Sequence, residues 1–558
     1  MGTTTGDTIT VFPARRVITM EPGNPTATAV AIRGDRIIEA GSLESMKPWL
    51  DSHPYVVDDR FADKVILPGF IDPHLHPMLA ALLLSCHIVS PEGWQLPDGD
   101  IPPCSDRPSF LQRLEEYVEE SSEFAITWGY HRLWHGEMTR EDIDQIAGDL
   151  PLVLWGRSGH EFILGSAALT WLGLDRASAE AESHGQVDWD KGLFYEAGMV
   201  PVQVRLMRHF GTAERMGAGL ARTASLIHAG GVTTCGDLCA GGFLGVETEM
   251  GLLTQAYEND NTPFRTFLVP SVLHLMKLNG DDLETAAQRV ADLPQLSSHR
   301  LQWLKAIKTF ADGAFFAQAM HLCEPGYIDG HHGEWITEPE EMLRLSRPFW
   351  EQGYDIYVHA NGDLGIDASL EALADLANTS PRAEFRFDLQ HFGISREDQV
   401  TRAARLGASV SANGYYVHLL ADTYAEHGIG TERAEQMTRL GSLSRKAVPF
   451  SLHSDLPMGP VQPLLAVSVA ATRQASSGIV RGEHQRISVE QALRAVTIDA
   501  AWTLHKDHEL GSIAAGKLAD LVVLDADPFD VDPADIRDIG IHATIFEGTV
   551  HPLTPAQN

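Results

Sequence analysis

Cysteine is scarce. The 558-residue chain has five (Cys86, Cys104, Cys235, Cys239 and Cys323), an odd and scattered set that excludes a disulfide framework. Cys235 and Cys239 form a C-x-x-x-C pair, but no second pair completes a structural zinc site, and two small buried residues is the simpler reading. Positive charge is short as well: 42 Lys+Arg face 76 Asp+Glu, a formal net charge of −34. Nucleic acid and anionic membranes attract basic surfaces, so neither is expected as a partner. Long apolar runs are missing. The longest, Met78 to Val89, is broken by Ser85, Cys86 and His87 and is well short of a membrane span. The opening MGTTTGDTITVFPARRVITM lacks the charged start and apolar core of a signal peptide, so a soluble, cytoplasmic protein is expected.

What is present is ordinary globular composition, 44% apolar and 21% charged, in a chain long enough for roughly two to four domains. No internal repeat or low-complexity tract interrupts it. Both ends are rich in short β-branched strands separated by turn residues: ITVF, TAVAIRG and DRIIEAG near the start, LADLVVLDADPFD and IHATIFEGTVHP near the finish. Neither end alone has enough strands to close a core, which predicts a β-sandwich shared by residues 1–64 and 508–558.

Between them, over 65–507, eight short and nearly all-apolar strands alternate with helical segments such as REDIDQIAGDL and PEEMLRLSRPFWEQG. The strands are expected at 65–76, 231–238, 264–272, 304–313, 354–360, 385–393, 406–414 and 448–455. That pattern fits a parallel sheet covered on both faces, and eight such units close into a (β/α)₈ barrel. Roughly 150 residues separate the first strand from the second, far more than one crossover needs. An insertion at about 86–215 is therefore expected to rise over the catalytic face as a lid or substrate-shaping subdomain.

The first strand ends in Asp72-Pro73-His74-Leu75-His76-Pro77. Residues two apart in a strand point to the same side, so His74 and His76 project together, an arrangement that suits a borderline metal. An H-x-H also arises by chance on surfaces; the rest of the set gives it weight. Lys308 and Asp312 lie on the fourth strand, His359 ends the fifth, His391 the sixth and Asp455 the eighth, all toward the C-terminal ends where barrel active sites are built. Lys308 sits in an apolar strand, where a charged amine is costly to bury. Its bland reading is a salt bridge to Asp312; the sharper one is a neutral amine that takes up carbon dioxide and becomes a bidentate carbamate ligand.

The order His-x-His, Lys, His, His, Asp resembles the amidohydrolase superfamily of metal-dependent hydrolases. PGFIDPHLHP, IKTFADGA, VHANGD, SLHSDLP and GSIAAGKLADLVVLDADPFDV are similar, more narrowly, to its YtcJ-like branch, which includes N-substituted formamide deformylases. The resemblance spans nearly the whole chain. It implies an α/β protein with a distorted (β/α)₈ TIM barrel, a β-sandwich made from both termini, and a centre of one or two divalent ions, zinc being the usual expectation. Carried over by position, His74, His76 and Asp455 would hold the more buried ion. Lys308, as its carbamate, would bridge to a second ion held by His359 and His391. Two departures stand out: Gln390 precedes His391 where relatives often have Glu, and Ser411-Ala412-Asn413-Gly414-Tyr415, with His418 beyond, replaces a Gln-Pro-x-His segment. Both are expected to affect the substrate side rather than the metal.

The resemblance also implies a mechanism. Asp455 would serve as general base and then acid, passing a proton from the attacking water to the leaving nitrogen; its bland alternative is a plain ligand or a helix N-cap. His160, in the Gly-His pair of the insertion, would donate to the substrate carbonyl. Trp128, Tyr130 and Asp312 are assigned to substrate binding, with Trp134 near them, against the bland reading that these aromatics are core. His131 and His135 are taken as surface residues, and His331 and His332 as a loop near the entrance. The expected reaction is hydrolysis of a non-peptide carbon–nitrogen bond in a small organic molecule. Esters, lactones or carbamates are the alternative substrates, and a non-catalytic barrel scaffold the alternative class. Small-molecule substrate and homodimer complete the expected partners.

Overall fold

The computed structural model describes residues 8–553 apart from 184, 279 and 281. All eight strands expected in the middle of the chain form: β1 (Phe70–Leu75), β2 (Val232–Ala240), β3 (Arg265–Pro270), β4 (Ala306–Phe310), β5 (Asp355–Ala360), β6 (Phe387–His391), β7 (Ser409–Asn413) and β8 (Phe450–His453). Nearly every residue in them is buried, which is why they read as apolar runs rather than alternating ones. The helices between them bury one stripe each. In Asp363–Thr379, for example, Ile366, Leu370, Leu373 and Leu376 fall at spacings of three and four and pack inward.

The ladders divide the strands into two parallel sheets. β1, β2 and β3 pair in sequence with a short strand Leu301–Trp303 at the edge; β4 to β8 pair in sequence. A continuously hydrogen-bonded ring is therefore not formed. Isolated contacts bring the sheet edges together instead. Ser271, just past β3, bridges to Lys308 of β4. At the other junction Asp455 N–H donates to His74 O at 2.9 Å and His76 N–H to Leu456 O at 3.0 Å. Asp72 Oδ1 accepts from Ser454 N–H at 3.1 Å, so a buried carboxylate staples β1 to the end of β8. The C-terminal ends of both sheets consequently face one space.

Strands from both termini lie in one eight-stranded sheet, in which Val65–Pro68 pairs with Leu521–Leu524 and with Ile9–Ile18. A bridge between Arg36 and Leu518 ties its edge strand back to the C-terminal segment. Between β1 and β2 a separate six-stranded sheet runs from His87–Ile88 to Leu193–Tyr195. Arg157 anchors that sheet to the loop after β8: its Nη2 donates to Met458 O at 2.9 Å, its Nε to Glu92 at 2.7 Å, and its guanidinium lies over Trp128 and Phe316. Among the described residues no helix is long and apolar enough to cross a membrane.

His131 and His135, expected at the surface, are buried. His135 Nδ1 accepts from His131 N–H at 3.1 Å and its ring stacks on Phe110, so both are core residues, with His131 Nε2 left without a hydrogen-bond partner.

Candidate metal centre

His74 is the penultimate residue of β1, and His76 caps the helix Pro77–Leu83 that Pro77 starts, proline being well placed at a first helical turn. Asp455 follows β8. Their ligating atoms converge: His74 Nε2 and His76 Nε2 are 3.1 Å apart, and Asp455 Oδ1 lies 3.5 Å from the first and 3.2 Å from the second. Two ligands of one ion, at bonds of about 2.0–2.2 Å, stand about 3.0–3.5 Å apart in tetrahedral or octahedral geometry. The donor set therefore fits a single divalent ion. His391 Nδ1 is 3.6 Å from Asp455 Oδ2 and joins the same cluster.

His359 and Lys308 line the same cavity but stand outside this tight group. The His359 ring meets His391 edge-on at 4.4 Å, while its Nε2 faces Asn361 Nδ2 at 2.9 Å. Lys308 Nζ is buried without a hydrogen-bond partner, as is His391 Nε2. Unpaired buried polar atoms are rare in folded proteins and call for a ligand, ion or water. No ion pair joins Lys308 to Asp312, whose oxygens are engaged elsewhere.

Charge balance follows from burial. Desolvation holds His74, His359 and His391 far below the usual histidine pKa, with Lys308 and neighbouring rings pushing the same way. These rings are neutral, the state that ligates metal. His76 differs: burial opposes its protonation, but Asp237 and Asp455 outweigh that and raise it to about 9. Its Nδ1 faces Asp237 Oδ1 at 3.8 Å. Burial also pushes the Lys308 amine down to about 8, against the pull of Asp455.

Two backbone features shape the cluster. His391 and Phe392 have φ of 73° and 50°, and Asp455 has 57°, left-handed values uncommon outside glycine and concentrated at functional sites. In a regular strand Gln390 and His391 would point to opposite sides. The left-handed turn breaks the alternation, so both face the centre. Gln390 Oε1 pairs with His74 Nδ1, and its Nε2 donates to Asp388, which also accepts from Ser409 Oγ at 2.6 Å. Gln390 therefore orients a metal-site histidine, correcting the expectation that its departure from Glu concerns the substrate. The amide oxygen accepts the Nδ1 proton and leaves Nε2 free as a ligand.

Above the cluster lies a cavity of about 290 Å³ with mainly apolar walls. The insertion supplies one side, through Trp155, His160, Gln186, Glu196 and Met199; Phe310 and Trp335 are on the other. Gly159, at φ 76°, makes the turn that presents His160. His160 Nδ1 pairs with Glu196 Oε2 at 2.9 Å, and although burial opposes it, that carboxylate raises the ring's pKa.

Three residues assigned to substrate binding do not line this cavity. Trp128 is fully buried, edge-on to Trp94 and beneath Arg157. Tyr130 is buried and its hydroxyl donates to Gly136 O at 2.8 Å. Asp312 accepts from the backbone N–H groups of Asn361 at 2.9 Å, Gly362 at 2.7 Å and His321 at 2.8 Å, tying the loop after β4 to the one after β5. All three are too enclosed, or too fully engaged, to meet a ligand. His418 lines a different cleft, and His331 is held by Asp329 and by Gln318 O at 2.7 Å. Glu196 and Asp237 contribute to the site without having stood out in the sequence.

A family model described as the amidohydrolase family matches residues 62–551. The putative amidohydrolase YtcJ of Bacillus subtilis (strain 168) is 26% identical over 95% of this chain and 97% of its own length. The N-substituted formamide deformylase of Arthrobacter pascens is 24% identical over 96% of each. Among solved structures, an uncharacterized metal-dependent hydrolase from Pyrococcus horikoshii OT3 superposes with a TM-score of 0.71 at 20% identity, covering 94% of this chain and 99% of that one.

Proposed function

We propose, from the premise that the chain belongs to the amidohydrolase family, that it hydrolyses a non-peptide carbon–nitrogen bond, of amide type, in a small organic molecule. The observation that carries this reading is the meeting of His74, His76 and Asp455 donors within 3.5 Å of one another at the floor of a cavity with mainly apolar walls. The two parallel sheets are read as one distorted (β/α)₈ barrel, with a sandwich from both termini and a lid from the insertion. A cytoplasmic enzyme, as a homodimer, is the setting we assign.

A divalent ion, zinc by preference, would be held by His74, His76 and Asp455, with His359, His391 and Lys308 available to a second. When bound, such an ion lowers the pKa of a water from about 16 to about 7 and polarises the carbonyl under attack. Asp455, its carboxylate beside the histidine donors, takes a proton from the water and delivers it to the leaving nitrogen. His160, whose pairing with Glu196 favours the protonated ring, keeps Nε2 free to donate to the carbonyl oxygen as negative charge gathers there. Lys308, buried without a hydrogen-bond partner and with its amine lowered to about 8, gives up its proton more readily than a free lysine and would capture carbon dioxide as the neutral amine, losing one further proton as its carbamate forms. The apolar walls favour an aromatic or alkyl substituent on the amide. The relative named as a formamide deformylase supports this choice of bond.

The test pairs metal analysis with a substrate panel. Purified protein should carry divalent metal, and His74→Ala should lose both metal and turnover. Formamides and acetamides with apolar N-substituents should be hydrolysed faster than matched esters. Full activity after thorough metal removal would refute the reading; faster ester cleavage would move it to the alternative acyl group.

A further inference from the structure

One histidine at the centre has no role in the family pattern set out above. His453, on β8, is buried and two residues before Asp455. Its Nε2 lies 3.2 Å from His391 Nδ1, and its ring centroid is 4.7 Å from that of His74 and 5.1 Å from that of His391. Single donor atoms of His74, His391 and His453 all fall within 4.8 Å of one another. The other ring nitrogen is accounted for: Nδ1 pairs with Ser411 Oγ at 2.9 Å, and Ser411 Oγ accepts from Ser451 Oγ at 3.1 Å. Ser411 thus holds the His453 ring by Nδ1 and turns Nε2 toward the cluster.

We propose that His453 is an additional metal ligand, giving the centre a second, all-nitrogen donor set made by His74, His391 and His453. This rests on the reading of the centre as a metal site, and goes beyond it in the donor set and in metal preference. Two imidazole nitrogens 3.2 Å apart either share one proton or direct both lone pairs at one cation. The second fits here, because donor atoms of three rings gather within 4.8 Å of one another and the Ser411 contact orients His453 toward the other two. A backbone or serine partner on the far nitrogen of a ligating histidine is the usual outer support of such a ligand. Added imidazole favours borderline ions such as Zn²⁺, Co²⁺ and Ni²⁺ over the oxygen-seeking Mn²⁺ and Mg²⁺.

The experiment uses the full chain, stripped with a chelator and titrated separately with Zn²⁺ and Mn²⁺ against a competing indicator. His453→Asn is expected to weaken Zn²⁺ by at least about 10-fold and Mn²⁺ by much less, and to change the visible absorption of the Co²⁺ form. Ser411→Ala should give a smaller loss of the same sign. Unchanged Zn²⁺ affinity and an unchanged Co²⁺ spectrum in His453→Asn would overturn the proposal while leaving the metal reading intact. Absence of binding by the parent chain, or full binding by His74→Ala, would instead overturn that reading. Should the variant fail to fold, anomalous scattering from zinc-loaded parent crystals decides: an ion at bonding distance from His453 Nε2, about 2.0–2.1 Å, supports the assignment, and an ion beyond reach refutes it.

Discussion

Replacing Gln390 by leucine removes one contact whose consequence for the metal centre can be worked out. The side chain reaches from β6 to pair with His74 Nδ1 and donates to Asp388. Leucine is similar in size, so packing changes little, but the Nδ1 proton of His74 loses its acceptor in a buried site. An unsatisfied buried donor costs about 1–3 kcal/mol. The ring escapes that cost by turning or by moving the proton to Nε2, and either change spoils Nε2 as a ligand. Loss of an outer partner of this kind typically weakens metal binding about 10–100-fold, equivalent to about 1.4–2.7 kcal/mol. Asp388, which burial raises to about 7, keeps Ser409 Oγ at 2.6 Å, and losing the Gln390 hydrogen bond raises it further, so it answers the change by taking up a proton more readily. Zn²⁺ competition with a chromophoric chelator gives the affinity directly, and a melting curve checks the fold. Gln390→Glu retains an acceptor for His74 and is expected to bind metal far more tightly than the leucine variant. Parent-like affinity in Gln390→Leu would refute the role assigned to this residue.

Two further outcomes follow from burial and charge. Stripped of metal, the chain should be most stable near the ordinary histidine pKa. Since His76 titrates at about 9 folded and near 6.5 unfolded, its contribution is full below pH 6.5 and lost by about pH 9, on the order of 3 kcal/mol. His453 works in the opposite sense: burial drops it to about 3, so stability falls as pH declines from 6.5 toward that value. Melting temperatures in chelator that climb steadily from pH 6.5 to 9 would contradict this. Asp312→Ala deprives three backbone N–H groups of an acceptor, at about 1–3 kcal/mol each, and should lower the melting temperature by several degrees with KM unaltered. A raised KM at unchanged stability would return Asp312 to the substrate.

Most of the scaffold was legible in the chain order. Parallel strands covered on both faces are mostly apolar, so all eight stood out as short runs; the first begins only at Phe70, Val65–Pro68 having joined the terminal sheet. His74 and His76 were recognisable because strand alternation puts residues two apart on one side. The same rule applied to β8 would have singled out His453, two before Asp455; only attention to the familiar ligand order hid it. Alternation failed at β6, where left-handed φ values at His391 and Phe392 turn Gln390 and His391 toward the same centre. Nothing in the local sequence announces that turn.

The linear pattern alone determined which side chains are able to ligate a metal and which segments form strands, since both depend on residue type and short spacing. Tertiary structure decided everything that depends on distance across the fold. It buried Trp128 beneath Arg157 and against Trp94, and Tyr130 against Phe110 and His135, both away from the cavity. It committed Asp312 to three backbone groups, left Lys308 without a partner, and joined Gln390 to a histidine 316 residues away. Hydrogen bonds and burial are pairwise properties of atoms brought together by the whole chain. A residue's type states what bonds it can make; only packing states which of them it does make.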